Sequence, residues 1–282
     1  MKSLKILLLF DLSLKLPPEQ YADHWNTVDW KAEKDVRNTL TKLGHKVIPF
    51  GIYDDIEPFL RIVRDQKPDL VFNMSEAFSG HRLMESNVTA LMQMVGVPFT
   101  GTGPMSLQLC KDKGLTKVIL NYHQVKTPQF LVAKKFKSIS AKALKDFKYP
   151  AFVKPLQLES SEGISLGSYV ENEKQAQARI EFIHEKHNAD AIIEEFIDGR
   201  EVYVSILGND KLVAFPPREL FFKSMSEDEP KFATFNSKWN QSYRKKWGID
   251  SGWVKDMPKS LQKKIFKECK KSRLFKPSNV WV

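Results

Sequence analysis

Cysteine is nearly absent: Cys110 and Cys269 are the only two in 282 residues, and they lie far apart. They support neither a disulfide framework nor a cysteine zinc site, and a reducing cytoplasm fits best. Long hydrophobic runs are also missing. The longest early one, Ile6–Phe10, is closed by Asp11. It is too short for a membrane span and poor as a signal-peptide core, so it reads as a first buried strand. No internal repeat and no low-complexity tract occurs, which argues against a solenoid or a linker-like region. Acidic residues are outnumbered, 34 against 44 Lys and Arg, for a net charge of +10. Such an excess raises nucleic acid as a partner. Much of it, however, is concentrated near the end, where Lys263, Lys264, Lys267, Lys270 and Lys271 alternate with Leu261, Ile265 and Phe266. That spacing suits the solvated face of an amphipathic helix, and no aromatic-interleaved basic motif supports nucleic acid.

What is present describes an ordinary soluble protein of about two domains, 42% hydrophobic and 28% charged. The first hundred residues alternate strand and helix signals. Strands are expected at Ile6–Phe10, Lys46–Gly51, Asp69–Asn73 and Val97–Thr100, and helices at Trp30–Leu43, Ile56–Gln66 and Met84–Val95. This alternation implies a parallel sheet with helices on its faces, and loops at the strand ends, such as Asn73–Gly80, are where such sheets hold ligands. Gly101-Thr102-Gly103-Pro104 marks a boundary before a long helix, Met105–Tyr122. Beyond it come a strand at Pro128–Ala133, a short helix at Ser140–Phe147, a strand ending on Lys154 and a helix at Asn172–Lys186. Ala191–Ile197 and Glu201–Leu207 read as a hairpin around Asp198-Gly199, and Lys211–Phe222 continues as a strand. Consecutive strands make this half α+β with antiparallel pairing. From Ser224 the chain is polar and irregular until a last helix, Pro258–Ser272.

Three segments carry chemistry. In Ala151-Phe152-Val153-Lys154-Pro155 an apolar strand ends on a lysine, and Ser160-Ser161-Glu162-Gly163 follows as a small, flexible loop. A lysine is a point charge for phosphate, and hydroxyls and backbone N–H groups close over one, Gly163 allowing a tight turn. The run is not Gly-x-x-x-x-Gly-Lys-Ser/Thr, so it does not point to a P-loop. Glu194-Glu195-Phe196-Ile197-Asp198-Gly199-Arg200-Glu201 places several carboxylates beside a turn, a pattern equally suited to a solvated hairpin. In a strand, Glu194 and Phe196 share one face and Glu195 the other, so one glutamate can point into a cleft while its neighbour faces away. Lys113 and Lys117 share a helix face four residues apart, which by itself describes a surface pair as well as a site.

Together these segments resemble the ATP-grasp superfamily, and within it the D-alanine–D-alanine ligase group. The ordered run begins with Val71-Phe72-Asn73 and Met92-Gln93-Met94-Val95-Gly96-Val97-Pro98-Phe99-Thr100-Gly101. Lys111-Asp112-Lys113-Gly114-Leu115-Thr116-Lys117 and Thr127-Pro128 follow, then the Lys154, Ser160–Gly163 and Glu194–Glu201 segments, covering roughly residues 65–220. The resemblance implies an N-terminal Rossmann-like domain (1–100) and an ATP-grasp fold of two parts (101–188 and 189–282), the second lacking its last strands. It implies ATP as ligand, with Lys117 and Lys154 on the phosphates and the loop containing Ser160, Ser161 and Gly163 closing over the γ-phosphate. Glu194 would accept from adenine beside Phe196 and Ile197, Glu201 would bind ribose, and Lys238 would stand near the phosphates with Ser160 at the reacting centre. The implied partners are a small-molecule carboxylate and an amine, joined through an acyl phosphate by positioning and charge neutralisation. A homodimer is one oligomeric state left open.

The chain also departs from the family. The Gly-rich turn followed by Ser-x-Glu near the N-terminus is absent, and Met74–His81 replaces a His-Gly-rich substrate loop, leaving Glu76 and His81 as candidate substrate contacts. The Arg-x-Asp and Glu-x-Asn motifs that hold magnesium in the family are missing before the end, Ser272–Val282. No protein ligand for the expected Mg2+ is therefore identified. The expectation is a chain cut short, with weak or absent turnover, or else a non-catalytic nucleotide-binding remnant or interaction module. Losing such ligands removes several kcal/mol of transition-state stabilisation.

Overall fold

In the computed structural model, which describes residues 2–27, 29–137, 139–209, 211–226, 229–271 and 280–281, the apolar run near the N-terminus becomes an interior strand of a parallel sheet. β1 (Lys5–Asp11) lies between β2 (Lys46–Ile52) and β3 (Leu70–Asn73), with β4 (Phe99–Thr100) and the short strand Val280–Trp281 beyond β3. Five successive residues of β1 are buried because helices and loops cover both faces. Alternation divides them: Leu7 and Leu9 pack with Phe50, Phe59, Val71, Met92 and Phe99, while Leu8 and Phe10 pack with Leu12, Tyr21 and Trp25. The helices here are α1 (Tyr21–His24), α2 (Lys31–Lys42), α3 (Glu57–Gln66) and α4 (Glu85–Met94). This α/β arrangement matches the expectation. The chain divides into two compact units, Met1–Gln108 with Gly208–Lys211 and Phe275–Val282, and Leu109–Leu207 with Leu212–Leu274. Ser272–Asn279 and Val282, where the shortened tail was read, lie outside the described residues.

The helix expected at Met105–Tyr122 is two helices, α5 (Pro104–Lys111) and α6 (Lys113–Tyr122). Asp112 breaks the run. Its backbone is extended and its carboxylate accepts the Leu115 N–H at 2.9 Å, an N-cap that competes with continuing the helix.

The second unit is built on an antiparallel sheet of β5 (Phe130–Ala133), β6 (Ala151–Pro155), β7 (Tyr169–Val170) and β8 (Ala191–Glu195), in the order β5-β8-β6-β7. α7 (Ala141–Lys145) contributes Leu144 to the core, and α8 (Glu173–Lys186) contributes Ala176, Ile180 and Ile183, facing Val153 and Ile193. The hairpin expected around Asp198-Gly199 does not form. Both edges of β8 are taken, by β5 and β6, so β9 (Val202–Tyr203) pairs elsewhere. The single strand expected over Lys211–Phe222 is also interrupted. β10 (Ile206–Leu207) pairs with β11 (Val213–Ala214), Pro216-Pro217 supply no ladder N–H, and β12 (Arg218–Phe222) starts afterwards. β12 pairs with β9 on one side. On the other it pairs with β13 (Ile249–Trp253), a strand hidden in the stretch that reads as irregular. Two short helices, α9 (Phe235–Trp239) and α10 (Gln241–Lys246), precede β13, and α11 (Lys259–Lys271) follows it. Among the described residues no helix is long and apolar enough to cross a membrane.

The core assignment is tested by a neighbouring pair in α4. Met92 is fully buried whereas Met94 is 84% exposed. Met92→Ala is expected to cost about 2–5 kcal/mol and Met94→Ala less than about 0.5 kcal/mol, read from urea unfolding midpoints.

Candidate functional site

β6 and β8 each turn one face to the core and the other to a cavity. Ala151, Val153, Ala191 and Ile193 belong to the core, so Phe152, Lys154, Ile192 and Glu194 share the opposite face, with Phe152 directly across from Glu194. The cavity has a volume of about 360 Å³. Phe152, Phe196, Phe232, Ile164, Ile197 and Pro128 make its apolar walls, and Lys154, Ser161, Glu194, Glu201, Tyr203 and Lys238 supply its polar groups. The three phenylalanines meet edge-on or stacked, with centroids 4.8 to 6.4 Å apart. An apolar slot with a few convergent polar groups is the usual form of a small-molecule site.

Glu194 is the electrostatic centre. Its side chain is 8% exposed, and its Oε2 accepts from Lys154 Nζ at 3.0 Å. Lys117 Nζ of α6 lies 3.4 Å from Oε1, close enough for an ion pair but without hydrogen-bond geometry, so this buried oxygen lacks a hydrogen bond. A third lysine closes the group: Lys113 Nζ donates to the Leu156 carbonyl at 3.1 Å and to the Leu158 carbonyl. Burial, reinforced by the Lys154 charge and opposed by Glu194, Glu159 and Asp112, pulls the Lys113 ammonium down to about 8. Burial and Lys154 likewise lower Lys117, against the pull of Glu194. Lys111 is committed to Glu159 at 2.6 Å. Two ammonium groups on one carboxylate, with Lys113 held near them by backbone carbonyls, leave a local positive excess, a setting that favours an anion.

The loop after β6 is held in a demanding conformation. Ser160, Ser161 and Gly163 all have positive φ, at 55°, 65° and 70°. A Cβ on Gly163 would also stand 2.6 Å from the Pro155 ring and 3.2 Å from His187 Nε2, so backbone and space both demand glycine. The loop is anchored to the segment around α9. Ser161 Oγ donates to the Ala233 carbonyl at 3.1 Å, the Phe235 N–H to the Ile164 carbonyl at 3.1 Å, and the Trp239 indole N–H to the Ser160 carbonyl at 3.1 Å. From α8, Arg179 donates to the Gly163 carbonyl at 2.6 Å.

The structure therefore brings Lys154, Ser161, Glu194, Phe196, Ile197, Glu201 and Lys238 onto one cavity. Lys117 reaches it through Glu194, while Ser160 and Gly163 shape the loop and are not among the residues lining the cavity. Glu195 also lines the cavity, and its carboxylate bonds the exposed Lys148. Glu76 belongs to the first unit, where it pairs with Arg82 at 3.6 Å. Sequence reasoning missed Phe152, Phe232 and Tyr203. The alternation of β6 puts Phe152 on the Lys154 face, a signal that was available, whereas Phe232 sits in a stretch without periodicity.

Magnesium fits this set poorly. The three cavity carboxylates are already engaged: Glu194 by lysines, Glu195 by Lys148, and Glu201 by the Tyr203 hydroxyl and the Ala233 N–H. Among the described residues, no group of three or more His, Cys, Asp or Glu side chains is arranged to hold a metal.

Comparison with known proteins gives the family and the fold. The family described as "D-ala D-ala ligase C-terminus" matches residues 109–271, more than half of the chain. A D-alanine–D-alanine ligase of Pseudothermotoga lettingae is 32% identical over 195 residues, covering 68% of this chain and 60% of its own length. An uncharacterized protein of Sinorhizobium fredii, y4sG, is 32% identical over 170 residues, covering 60% and 47%. The chain thus spans about half to three fifths of the length of these curated relatives. Among solved structures, a Bacillus anthracis D-alanine–D-alanine ligase complexed with ATP superposes with a TM-score of 0.67. It is 16% identical, and the match covers 97% of this chain and 78% of that one, a likeness of fold.

Two measurements check the site's construction. Gly163→Ala is expected to destabilise by about 1–3 kcal/mol, since it combines a strained backbone with a clash, and urea unfolding reads the loss. For Lys113, the folded state binds fewer protons than the unfolded chain between pH 8 and its ordinary 10.5. Its charge therefore opposes folding below pH 8, and stability rises through that window. The stability of the native protein minus that of Lys113→Met should climb from pH 8 to 10, toward a total rise on the order of 3 kcal/mol once both states are deprotonated. A difference that stays flat with pH contradicts the assignment.

Proposed function

The chain belongs to the D-alanine–D-alanine ligase family of ATP-grasp proteins, and from that premise we propose that its β6–β8 cavity binds ATP to drive carboxylate–amine ligation. One observation carries the reading: Glu194, clamped between Lys117 and Lys154, stands at the edge of an aromatic slot. The slot of Phe152, Phe196 and Phe232 suits a purine, and the Glu194 oxygen that lacks a hydrogen bond is an acceptor for its exocyclic amine. Glu201 faces the ribose. Lys117, Lys154 and Lys238 neutralise the phosphates, with the Ser160–Gly163 loop over the γ-phosphate. The division at residues 101–188 and 189–282 then contributes Lys117, Lys154 and the loop from one part, and the glutamates and Lys238 from the other.

The chemistry follows from this charge pattern. A substrate carboxylate oxygen attacks the γ-phosphorus, the bond from phosphorus to the β–γ bridging oxygen breaks, and ADP leaves with the electron pair. An amine then adds to the acyl phosphate carbon, and inorganic phosphate and a proton depart as the C–N bond forms. Fixed lysine charges and backbone donors stabilise charge moving onto the phosphate oxygens without solvent reorganisation. Both substrates are small molecules, and positioning them accounts for much of the rate.

A second reading, nucleotide binding without turnover, is favoured by the engagement of every cavity carboxylate, which leaves none of the described ones free for a divalent ion. Titration calorimetry with ATP, combined with an ADP-release assay containing magnesium and a panel of amino acids, separates the two. Ligation predicts amino-acid-dependent ADP formation, and the second reading predicts ATP binding alone. In both, Lys154→Ala should weaken ATP binding at least about tenfold, the value of a charge-assisted bond to phosphate. Unchanged affinity would refute the phosphate assignment.

A further inference from the structure

Beside Glu201 stands Tyr203, an aromatic side chain with a hydroxyl at its tip. Tyr203 lies two residues further along an extended segment, so the two side chains share a face, and both line the cavity. Their backbone is pinned by pairing with β12: Arg218 stands opposite Tyr203, and the Leu220 N–H donates to the Glu201 carbonyl at 3.1 Å. The Tyr203 hydroxyl donates to Glu201 Oε1, and the Ala233 N–H donates to Oε2 at 3.0 Å. The carboxylate is thus held from both ends, by a neighbour on its own strand and by the backbone of the segment that anchors the serine loop.

A carboxylate offers about four acceptor sites, two on each oxygen. With one site on each oxygen taken, one remains on each, and two adjacent hydroxyl groups are a donor pair that matches this number. We propose that Tyr203 is a positioning residue that fixes the Glu201 carboxylate for the vicinal diol of a ribonucleotide, giving the site its preference for ribose over deoxyribose. This rests on the nucleotide reading above and adds a specificity device to it. Burial, and then the Glu201 carboxylate, drive the phenol well above its usual range. The hydroxyl therefore remains a donor throughout any practical assay, and the preference should not vary with pH between 6 and 9 on its account.

The experiment compares affinities for ATP and 2′,3′-dideoxy-ATP in the native protein, Tyr203→Phe and Glu201→Gln, by calorimetry at two pH values. Tyr203→Phe keeps the ring and removes only the donor. The expected result is a fall in the ratio of ATP to dideoxy-ATP affinity of roughly threefold to tenfold, with dideoxy-ATP affinity unchanged. Equal losses for both nucleotides would mark a merely structural tyrosine and overturn the proposal, as would no change for either. If Glu201→Gln collapses the ratio while Tyr203→Phe does not, the positioning role alone is wrong. If Glu201→Gln leaves the ratio intact, or the native protein binds neither nucleotide, the ribose assignment fails and the proposal with it.

Discussion

Glu194, a carboxylate removed from water and held between two ammonium groups, is the interaction around which the site is organised. Its Oε2 bond to Lys154 joins β8 to β6 across the sheet, and its approach to Lys117 ties α6 to the same point. Ionised side chains are almost never fully buried unless paired, and removing one partner of a buried pair leaves a charge costing several kcal/mol. The three elements are therefore interdependent. The sheet brings Lys154 and Glu194 together by register, and the break at Asp112 resets the helix that carries Lys113 and Lys117.

The same economy governs the loop after β6. Two serines and a glycine with positive φ are an unstable choice in isolation, and the conformation persists because four separate contacts hold it. Three come from the segment between Ala233 and Trp239 and one from Arg179. Glu201 accepts from the N–H of that same Ala233. Loop, Glu201 and the segment around α9 are thus joined by one set of hydrogen bonds. A chain that spans only part of its relatives' length still carries this set whole within its family-matched region.

Much of this was legible in residue order. Ile6–Phe10 announced a buried strand, Gly44, Pro68 and Gly96 marked the ends of three helices, and the lysine, serine loop and glutamates stood out as one constellation. The misreadings share a cause. The hairpin around Asp198-Gly199 had good turn residues, yet β8 had already found two partners, and a strand has only two edges. Asp112 looked like one residue among helix formers, whereas its side chain competes for the Leu115 N–H and ends the helix. β13 carries Asp250, Ser251 and Gly252, a poor strand by propensity, and pairing with β12 overrides that preference.

By itself the sequence determined the fold class, the family and the identities of the charged groups, because hydrophobic period and ordered motifs are local properties of the chain. Tertiary structure alone decided which charges meet. It buried Glu194 between Lys117 and Lys154, turned Phe152 and Phe232 into walls, and gave Glu201 its two donors, Tyr203 and Ala233. Those outcomes depend on which strand edges remain free and how far each group is removed from water, quantities that exist only once distant segments have packed.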